Sequence, residues 1–395
     1  MRLVRDACDR DLAMTKSFIL LSPEFSSRAG HQAEYIAQMA AAARRSGFTV
    51  RVVAPTDCSI QIDNASVERI LSPLNTAPAP SHFPARAIAR IRRTLDQHRR
   101  RAAYRALFAQ GNTEALWFLH TAPYPEIALA IEAFMAAPMG RLAVMMRSDH
   151  DNVPARMEQI RQALSRAEKG HVDLWADTVD LAEALTPLAP YPVGCSPPPW
   201  TGRIPTVQPV RGRIGVFGAR RRQKGYTLLE PIARVAQARQ TGLAFVVHGY
   251  AHRELSVDPD LDTTTLALCE LGVSVIDEIL PTAAMEDEIA ACSAVLLPYD
   301  PTIYRRGSSG MFVQAIAMGR AAVVSEGTWM AAEARRIGLS RVIAVDPTDP
   351  EATTGALITA ACMGIEPFTP TAPEAAWIRA SLPDNVLKTV MAGPR

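Results

Sequence analysis

The sequence predicts an α/β protein with two domains, each built on a parallel β-sheet. Short apolar runs with the length of buried strands alternate with longer stretches of helical periodicity, and this alternation occurs in two separate series. A segment dense in proline and glycine, 189–209, separates the series and is interpreted as the interdomain linker. At 395 residues the chain is long enough to give each domain its own core.

The first series opens with a strand–helix–strand unit. Ser17–Ser22 has the pattern of a buried strand, 32–46 is an alanine-rich helix ended by Gly47, and 50–54 is a second strand. A βαβ unit implies parallel strands joined by a right-handed crossover. The further strands predicted for this series are 67–71, 115–119, 142–146 and 172–175.

The second series begins after the linker and repeats the alternation. Its predicted strands are 213–217, 243–247, 273–276, 294–297, 321–324 and 342–345. Its predicted helices are 227–239, 282–291 with Glu286, Asp287 and Glu288 exposed, 311–318 and, at the end of the chain, 375–391. The last helix carries an apolar stripe of Trp377, Ile378, Leu382 and Leu387.

Composition and charge exclude several classes of protein. A net charge of +2 argues against a general nucleic-acid binder. No apolar run reaches the roughly 18 residues of a membrane span, and the N-terminal stretch 1–22 lacks the uninterrupted apolar core of a signal peptide. The six cysteines form no Cys-x-x-Cys pair, so we expect no zinc site, reduced and buried thiols, and a cytoplasmic protein.

A polar loop between Leu297 and Met311 is the first candidate for an anion site. It carries Arg305 and Arg306 and then small residues, Ser308, Ser309 and Gly310, at the start of a helix. A helix N-terminus presents unpaired N–H groups and a partial positive charge, which suits a phosphate. The alternative is that Ser-Ser-Gly only caps the helix and that both arginines are solvated, and the loop alone does not decide between them.

Several strands of the first series deliver polar residues to their carboxyl ends, where ligands of open α/β sheets bind. Gly30 and His31 follow the first strand, His120 follows a later one, and Arg147 precedes Ser148, Asp149 and His150. A neutral imidazole at His120 could accept a proton or bond a sugar hydroxyl, and a structural histidine is an equal alternative. The first loop has no Gly-x-Gly-x-x-Gly pattern, which lowers the odds of a dinucleotide cofactor.

The stretch 86–109 combines helical periodicity with a concentration of arginine. One face carries Ile88, Ile91, Leu95, Tyr104 and Leu107, and another is rich in arginine. Such a helix could lie on an anionic membrane surface. The exposed face of an ordinary soluble helix is the more common explanation of this pattern.

Three segments of the second half resemble the retaining GT-B glycosyltransferases of family 4, also called glycosyltransferase group 1, which use nucleotide sugars. GARRRQKGY resembles the loop of that family in which Arg and Lys bind the donor diphosphate, and the matching residues here are Arg221 and Lys224. LPTAAMEDEIAACSAVLLPYDP and SSGMFVQAIAMGRAAVVSE are similar to the family's segments around the donor site. The N-terminal half matches in architecture, with RAGH in place of a glycine-rich loop.

The last of these segments departs from the family at two positions. The family has two glutamates with seven residues between them. Gln314 stands where the second would contact the donor ribose, and Arg306 stands where the first would contact the transferred sugar. Gln314 can still hydrogen-bond hydroxyl groups through a neutral amide, whereas Arg306 reverses the charge beside the sugar.

The resemblance implies a GT-B fold, in which two Rossmann-like domains face a cleft. The expected parts are an acceptor-binding domain, 1–195, a nucleotide-sugar-binding domain, 205–370, and a C-terminal crossover helix, 371–395, which is expected to pack on the N-terminal domain through its apolar stripe. The implied activity is retaining, metal-independent transfer of a hexose-like sugar from a nucleotide sugar to a saccharide or glycolipid, with no cofactor besides that co-substrate. The alternatives are a GT-B epimerase or phosphorylase, for which we find no carboxylates or pyridoxal lysine, and a non-catalytic GT-B partner or scaffold protein, which Arg306 and Gln314 favour.

The resemblance also distributes roles among the candidate residues. The expected donor-binding residues are Arg221, Lys224, Gly249, Tyr299, Ser309, Gly310 and Gln314. The expected acceptor-binding residues are Gly30, His31 and Arg147, and the expected catalytic residues are His120 and Arg306. No metal ligand is expected, no nucleic acid is an expected partner, and the basic helix 86–109 is a candidate for peripheral contact with the inner membrane face.

Overall fold

The described part of the chain contains two parallel β-sheets, one in each half. A computed structural model describes residues 16–25, 32–63, 65–74, 83–147, 153–165, 171–249 and 258–394. The strands of the first sheet are β1 (Ser17–Leu21), β2 (Thr49–Pro55), β3 (Ser66–Leu71), β4 (Ala115–Leu119), β5 (Arg141–Met146), β6 (Val172–Ala176) and β7 (Gly194–Cys195). They lie in the order β3-β2-β1-β4-β5-β6-β7, and all paired strands are parallel.

The second sheet has the same construction. Its strands are β8 (Val210–Val216), β9 (Ala244–His248), β10 (Ser274–Ile276), β11 (Cys292–Leu297), β12 (Ala321–Ser325) and β13 (Val342–Val345). They lie in the order β10-β9-β8-β11-β12-β13, again with parallel pairing. In both sheets the first strand is central and the order reverses beside it, which opens a crevice at the carboxyl ends. The predicted class, two Rossmann-like α/β domains, is confirmed.

Helices cover both faces of each sheet. The first sheet is packed by α1 (Gln32–Arg45), α2 (Phe83–Phe108), α3 (Tyr124–Met135), α4 (Val153–Leu164) and α5 (Val179–Leu185). The second is accompanied by α6 (Leu229–Ala238), α7 (Pro259–Glu270), α8 (Thr282–Ala291), α9 (Gly310–Ala317), α10 (Trp329–Ile337) and α11 (Pro350–Met363). Because side chains alternate along a strand, Ile19 and Leu21 enter one core of the first domain and Phe18 and Leu20 enter the other.

The C-terminal segment forms two helices instead of the single helix predicted. They are α12 (Ala372–Ala380) and α13 (Pro383–Ala392), and the helix breaks before Pro383 because proline disfavours helical conformation in the residue before it. The predicted packing on the first domain is therefore correct for Leu387 and wrong for the three other residues of the stripe. Trp377, Ile378 and Leu382 pack against the core of the second domain, while Leu387 is buried in the core of the first.

Other sequence predictions are corrected by tertiary contacts. Glu286 is only 1 % exposed, because Arg203 donates to it over 3.1 Å and the Thr201 hydroxyl bonds its second oxygen. Cys269 and Cys362 are exposed thiols, whereas Cys58 and Cys292 are buried as expected. Within the described residues, no helix has both the length and the apolar character needed to cross a bilayer.

Candidate active site

The carboxyl ends of the two sheets meet at a loop of the second domain, residues 303–309, which precedes α9. Thr178, the N-cap of α5 in the first domain, donates its hydroxyl to the carbonyl of Arg306 over 2.7 Å. The Ser308 hydroxyl donates to the Asp177 carboxylate, at the end of β6. This loop therefore joins the two domains directly at the edge where ligand sites of such sheets lie.

The loop after β8 carries four cations, and the structure separates them into two pairs. Arg220 is held by Asp262 at 2.7 Å, and Arg222 is held by Asp258 at 2.6 Å and also by Asp260. Arg221 and Lys224 have no ion pair with any carboxylate that the structure describes. The Nε of Arg221 is buried and lacks a hydrogen-bond partner among these residues. The two cations that the sequence matched to the donor diphosphate are thus the two that remain available.

Lys224 lies against the ends of two strands. Its Nζ is 5.5 Å from the centre of the Tyr299 ring, a cation–π distance. At Gly218 a Cβ would come within 2.6 Å of that same Nζ, so the glycine makes room for the ammonium group. Burial lowers the pKa of Lys224, the neighbouring Tyr304 opposes the shift, and the charge of Arg221 adds to it. An anion bound here would replace lost hydration and raise that pKa again.

Tyr299 and Ser309 link the end of β11 to the start of α9. Burial raises the pKa of Tyr299 to about 12, and a hydrogen bond with Ser309 opposes the shift. Ser309 caps α9 by accepting from the Phe312 N–H over 3.3 Å. Tyr304 lies 4.5 Å from Tyr299, centre to centre, and together the rings wall one side of Lys224. Gly310 has open space where a side chain would be, so an anion can approach the helix N-terminus closely.

Two donor-binding candidates remain, Gln314 and Gly249. Gln314 is 8 % exposed in the middle of α9. The N–H of Gly249 donates to the carbonyl of Ile276 over 3.1 Å, and a Cβ at Gly249 would come within 2.7 Å of the Tyr226 ring. Packing against Tyr226 therefore already requires glycine at 249, and a contact with donor stays a prediction.

His248 precedes Gly249 and faces the same cation. Its Nε2 donates to the carbonyl of Glu278 over 2.7 Å. Burial lowers the pKa of His248, the hydrogen bond to Glu278 opposes the shift, and the charge of Lys224 adds to it. The end of β9 and the loop after β8 thus share one electrostatic environment.

On the first domain, Arg147, Tyr35 and Asp177 form a compact group at the ends of β5 and β6. The guanidinium carbon of Arg147 lies 4.4 Å above the Tyr35 ring, whose pKa burial raises to about 12. Burial also raises the pKa of Asp177 to about 6, while the charge of Arg147 and the bond from Ser308 hold it down. Nε and Nη2 of Arg147 are buried and have no hydrogen-bond partner among the described residues, and the role of Arg147 in binding an acceptor stays a prediction.

His120 packs against the Tyr35 ring of this group. Its ring is fully buried, stacks on Tyr35 at 4.6 Å between ring centres, and bonds the Thr121 hydroxyl through Nδ1 over 2.7 Å. In this conformation the imidazole reaches no open surface, so its catalytic role stays a prediction. Stacking against Tyr35 is a sufficient structural reason for a histidine at position 120.

Arg306 is oriented by the contact between domains. Its carbonyl is held by Thr178, and its charge lowers the pKa of Asp180, which burial raises. The guanidinium group is therefore close to the start of α5, and its role beside a sugar also stays a prediction. Gly30 and His31 lie outside the described residues. Within the residues described, no cluster of three His, Cys, Asp or Glu side chains has the arrangement of a metal site.

Tyr35, Tyr304 and Asp177 lie in the site but were not among the sequence candidates. Tyr35 lies in the interior of α1, and Tyr304 lies in the candidate anion loop, where only the arginines and the small residues were singled out. Asp177 directly follows the buried strand β6, and a carboxylate in that position is the signal that could have identified it.

Comparison with solved structures identifies the architecture. Sucrose-phosphate synthase from Thermosynechococcus elongatus superposes with a TM-score of 0.62 and 16% identity, over 96% of this chain and 95% of that one. The UDP-forming α,α-trehalose-phosphate synthase from Burkholderia xenovorans, in complex with glucose-6-phosphate, gives 0.64 and 12%, over 95% and 99%. HepE from Anabaena, in complex with UDP and glucose, gives 0.60 and 13%, over 95% and 98%.

The chain has the GT-B fold. The likeness spans nearly the whole of each compared chain, so it includes both domains of this GT-B protein. No protein-family model and no curated protein sequence matches it. At these identities the comparison identifies the fold, and the function has to be argued from the site.

Proposed function

We propose that this protein is a glycosyltransferase that moves a hexose-like sugar from a nucleotide-sugar donor to a saccharide or glycolipid acceptor, with retention of configuration and without a metal ion. The observation that supports it best is a pair of cations, Arg221 and Lys224, that have no carboxylate partner among the described residues and lie next to the N-terminus of α9. The structural neighbours include a protein described in complex with UDP and another with glucose-6-phosphate, which agrees with such a pair of substrates.

The site offers what the departing nucleoside diphosphate requires. Glycosyl transfer passes through an oxocarbenium-like centre, and negative charge develops on the leaving group. Arg221 and Lys224 would neutralise that charge from one side. The amides at the start of α9, beside Ser309 and Gly310, would contribute the positive end of a helix from the other. Gln314 would bond the ribose, and Tyr299 would hold Lys224 in place.

The acceptor would lie against the first domain. Arg147 brings N–H groups that have no hydrogen-bond partner among the described residues to the carboxyl end of β5, beside the buried Asp177. The loop of residues 303–309 touches both domains, so a sugar held there would be close to donor and acceptor groups at once. Closure around it would exclude water and limit hydrolysis of the donor.

The proposal is tested by calorimetry with a panel of nucleoside diphosphates, followed by turnover with the matching sugar donors. Lys224→Ala is expected to weaken binding of the preferred diphosphate about 10- to 100-fold, because a hydrogen bond to a charged group contributes about 1.5–3 kcal/mol. Arg222→Ala is the matched control. It removes a cation from the same loop, but one already paired with Asp258 and Asp260, and binding should not change.

Equal affinities for the wild type and Lys224→Ala would remove this loop from the donor site. Donor binding that depends on Lys224, with no release of diphosphate in the presence of any acceptor, would favour the alternative of a non-catalytic scaffold. Arg306 and Gln314, which replace two carboxylates, are the residues that support that alternative.

A further inference from the structure

The first half of α2 extends beyond the core of its domain. Between residues 86 and 99, all side chains that the structure describes are exposed except Ala89 and Asp96. Only further along are residues of the helix buried, with Arg100, Tyr104 and Leu107 facing the core. The free half is thus a long helical surface with little contact to the rest of the domain.

This free half carries its large apolar residues on the side away from the core. Ile88, Ile91 and Leu95 are 52%, 61% and 52% exposed. Their spacing of three and four places them on one face, and they are out of phase with Tyr104 and Leu107, which the sequence had put on the same apolar face. A water-soluble helix gains nothing from such a stripe unless another surface covers it.

Arginines lie beside the stripe and beyond its end. Arg92 and Arg99 lie one turn after Ile88 and Leu95, and Arg105 lies about 15 Å further along the helix than Leu95. Arg92 and Arg105 have no ion pair with any residue that the structure describes. Arg99 has only a long, exposed contact of 3.9 Å with Asp96. The charge beside the apolar stripe is therefore largely uncompensated.

We propose that this face of α2, with Ile88, Ile91 and Leu95 at its centre, docks the protein onto an anionic phospholipid surface. The three apolar side chains would enter the boundary between headgroups and acyl chains, while the arginines beside them reach the lipid phosphates. A second copy of the chain fits less well, because packing stripe against stripe would bring the arginine rows of both copies together. The inference is independent of the proposed transferase activity, since none of these residues belongs to the site described above.

The test is co-sedimentation of the full chain with vesicles of phosphatidylcholine alone or mixed with an equal part of phosphatidylglycerol. We expect binding to the anionic vesicles, at least tenfold weaker binding to the neutral ones, and loss of binding as salt rises from 0.1 to 0.5 M. Ile91→Glu should reduce binding to anionic vesicles about tenfold or more. Leu95→Gln should act in the same direction, and the double variant Arg92→Glu, Arg105→Glu should nearly abolish binding.

Leu266→Glu is the matched control, because Leu266 is an apolar residue of another helix, α7, and is 67% exposed. It should bind anionic vesicles like the wild type. Equal binding to both vesicle types, or equal binding by Ile91→Glu and Leu266→Glu, would overturn the proposal. A wild-type dimer that Ile91→Glu dissociates in sedimentation velocity, without vesicle binding, would also overturn it and assign the face to a second copy. Because every substituted side chain is exposed, circular dichroism and thermal melting should remain those of the wild type.

Discussion

Leu387→Ala tests whether the C-terminal helix α13 is a structural part of the first domain. Leu387, Val386 and Val390 are fully buried in a core that also contains Phe18 and Leu20 of β1. Truncating a buried leucine to alanine costs about 2–5 kcal/mol, depending on how far the cavity collapses. The variant should therefore destabilise the first domain by that amount, although residue 387 lies near the end of the chain.

A two-domain chain need not unfold in one step, so the effect has to be located as well as measured. Hydrogen exchange of the protected amides in β1 and β2 should become roughly 30-fold to several thousand-fold faster, from the same 2–5 kcal/mol. The amides of β11 and β12 should change little. Trp377→Leu should give the reverse pattern, because Trp377 packs on Phe312 and donates to Glu333 over 2.7 Å in the second domain.

Lys388→Ala, one residue further along the same helix, is the control for Leu387→Ala. Its side chain is exposed, and alanine has the highest helix propensity, so exchange should remain at the wild-type rate. The reasoning fails if Lys388→Ala and Leu387→Ala accelerate exchange equally. It also fails if Leu387→Ala accelerates exchange in the second domain as strongly as in the first.

Two further predictions concern the strand ends. Gly225 has a φ of 70°, and a Cβ there would lie 2.0 Å from the carbonyl oxygen of Pro298, so Gly225→Ala should cost more than the ~1–2 kcal/mol of left-handed backbone strain and should weaken diphosphate binding. Gly272→Ala, with a φ of 76° and no atom within 4 Å of the added Cβ, should cost only the backbone strain. Urea titration of both variants measures the difference. Because the pKa of Asp177 rises on folding from 3.8 to about 6, the folded state binds its proton more tightly, and this group should lower the unfolding free energy by about 2 kcal/mol as pH rises from 4 to 7. Asp177→Asn should remove that component, so parallel pH profiles for wild type and variant, measured by urea unfolding, would contradict it.

The parts of the site that are local in sequence could be predicted from it. A strand, a cationic loop and a glycine-rich turn lie within a dozen residues of each other around Arg221 and Lys224, so their proximity is a matter of chain connectivity. The sequence could not show which of the four cations were already paired. The partners of Arg220 and Arg222 are Asp258, Asp260 and Asp262, which lie at the start of α7. The sequence analysis did not predict this helix.

Other errors have the same origin in contacts between distant residues. Glu286 looked like an exposed charge of an ordinary helix, but Arg203 and Thr201 from the linker cover it. The helix α11 was missed because its buried face contains, besides Leu357, only alanine and threonine, which give no clear hydrophobic period. His120 was expected at an open strand end, and it is Tyr35 of α1 that covers it.

The loop of residues 303–309 ties the relative position of the two domains to the geometry of the donor site. Its carbonyl at 306 and hydroxyl at 308 are held by the first domain, at Thr178 and Asp177. The same loop carries Tyr304, which packs on Tyr299, and ends at Ser309, which caps α9. A rotation of the first domain that breaks the contacts at 306 and 308 would therefore release the residues that wall Lys224. Conversely, a diphosphate that fixes this wall favours the closed arrangement, because a ligand shifts a conformational equilibrium by its difference in affinity between the two states.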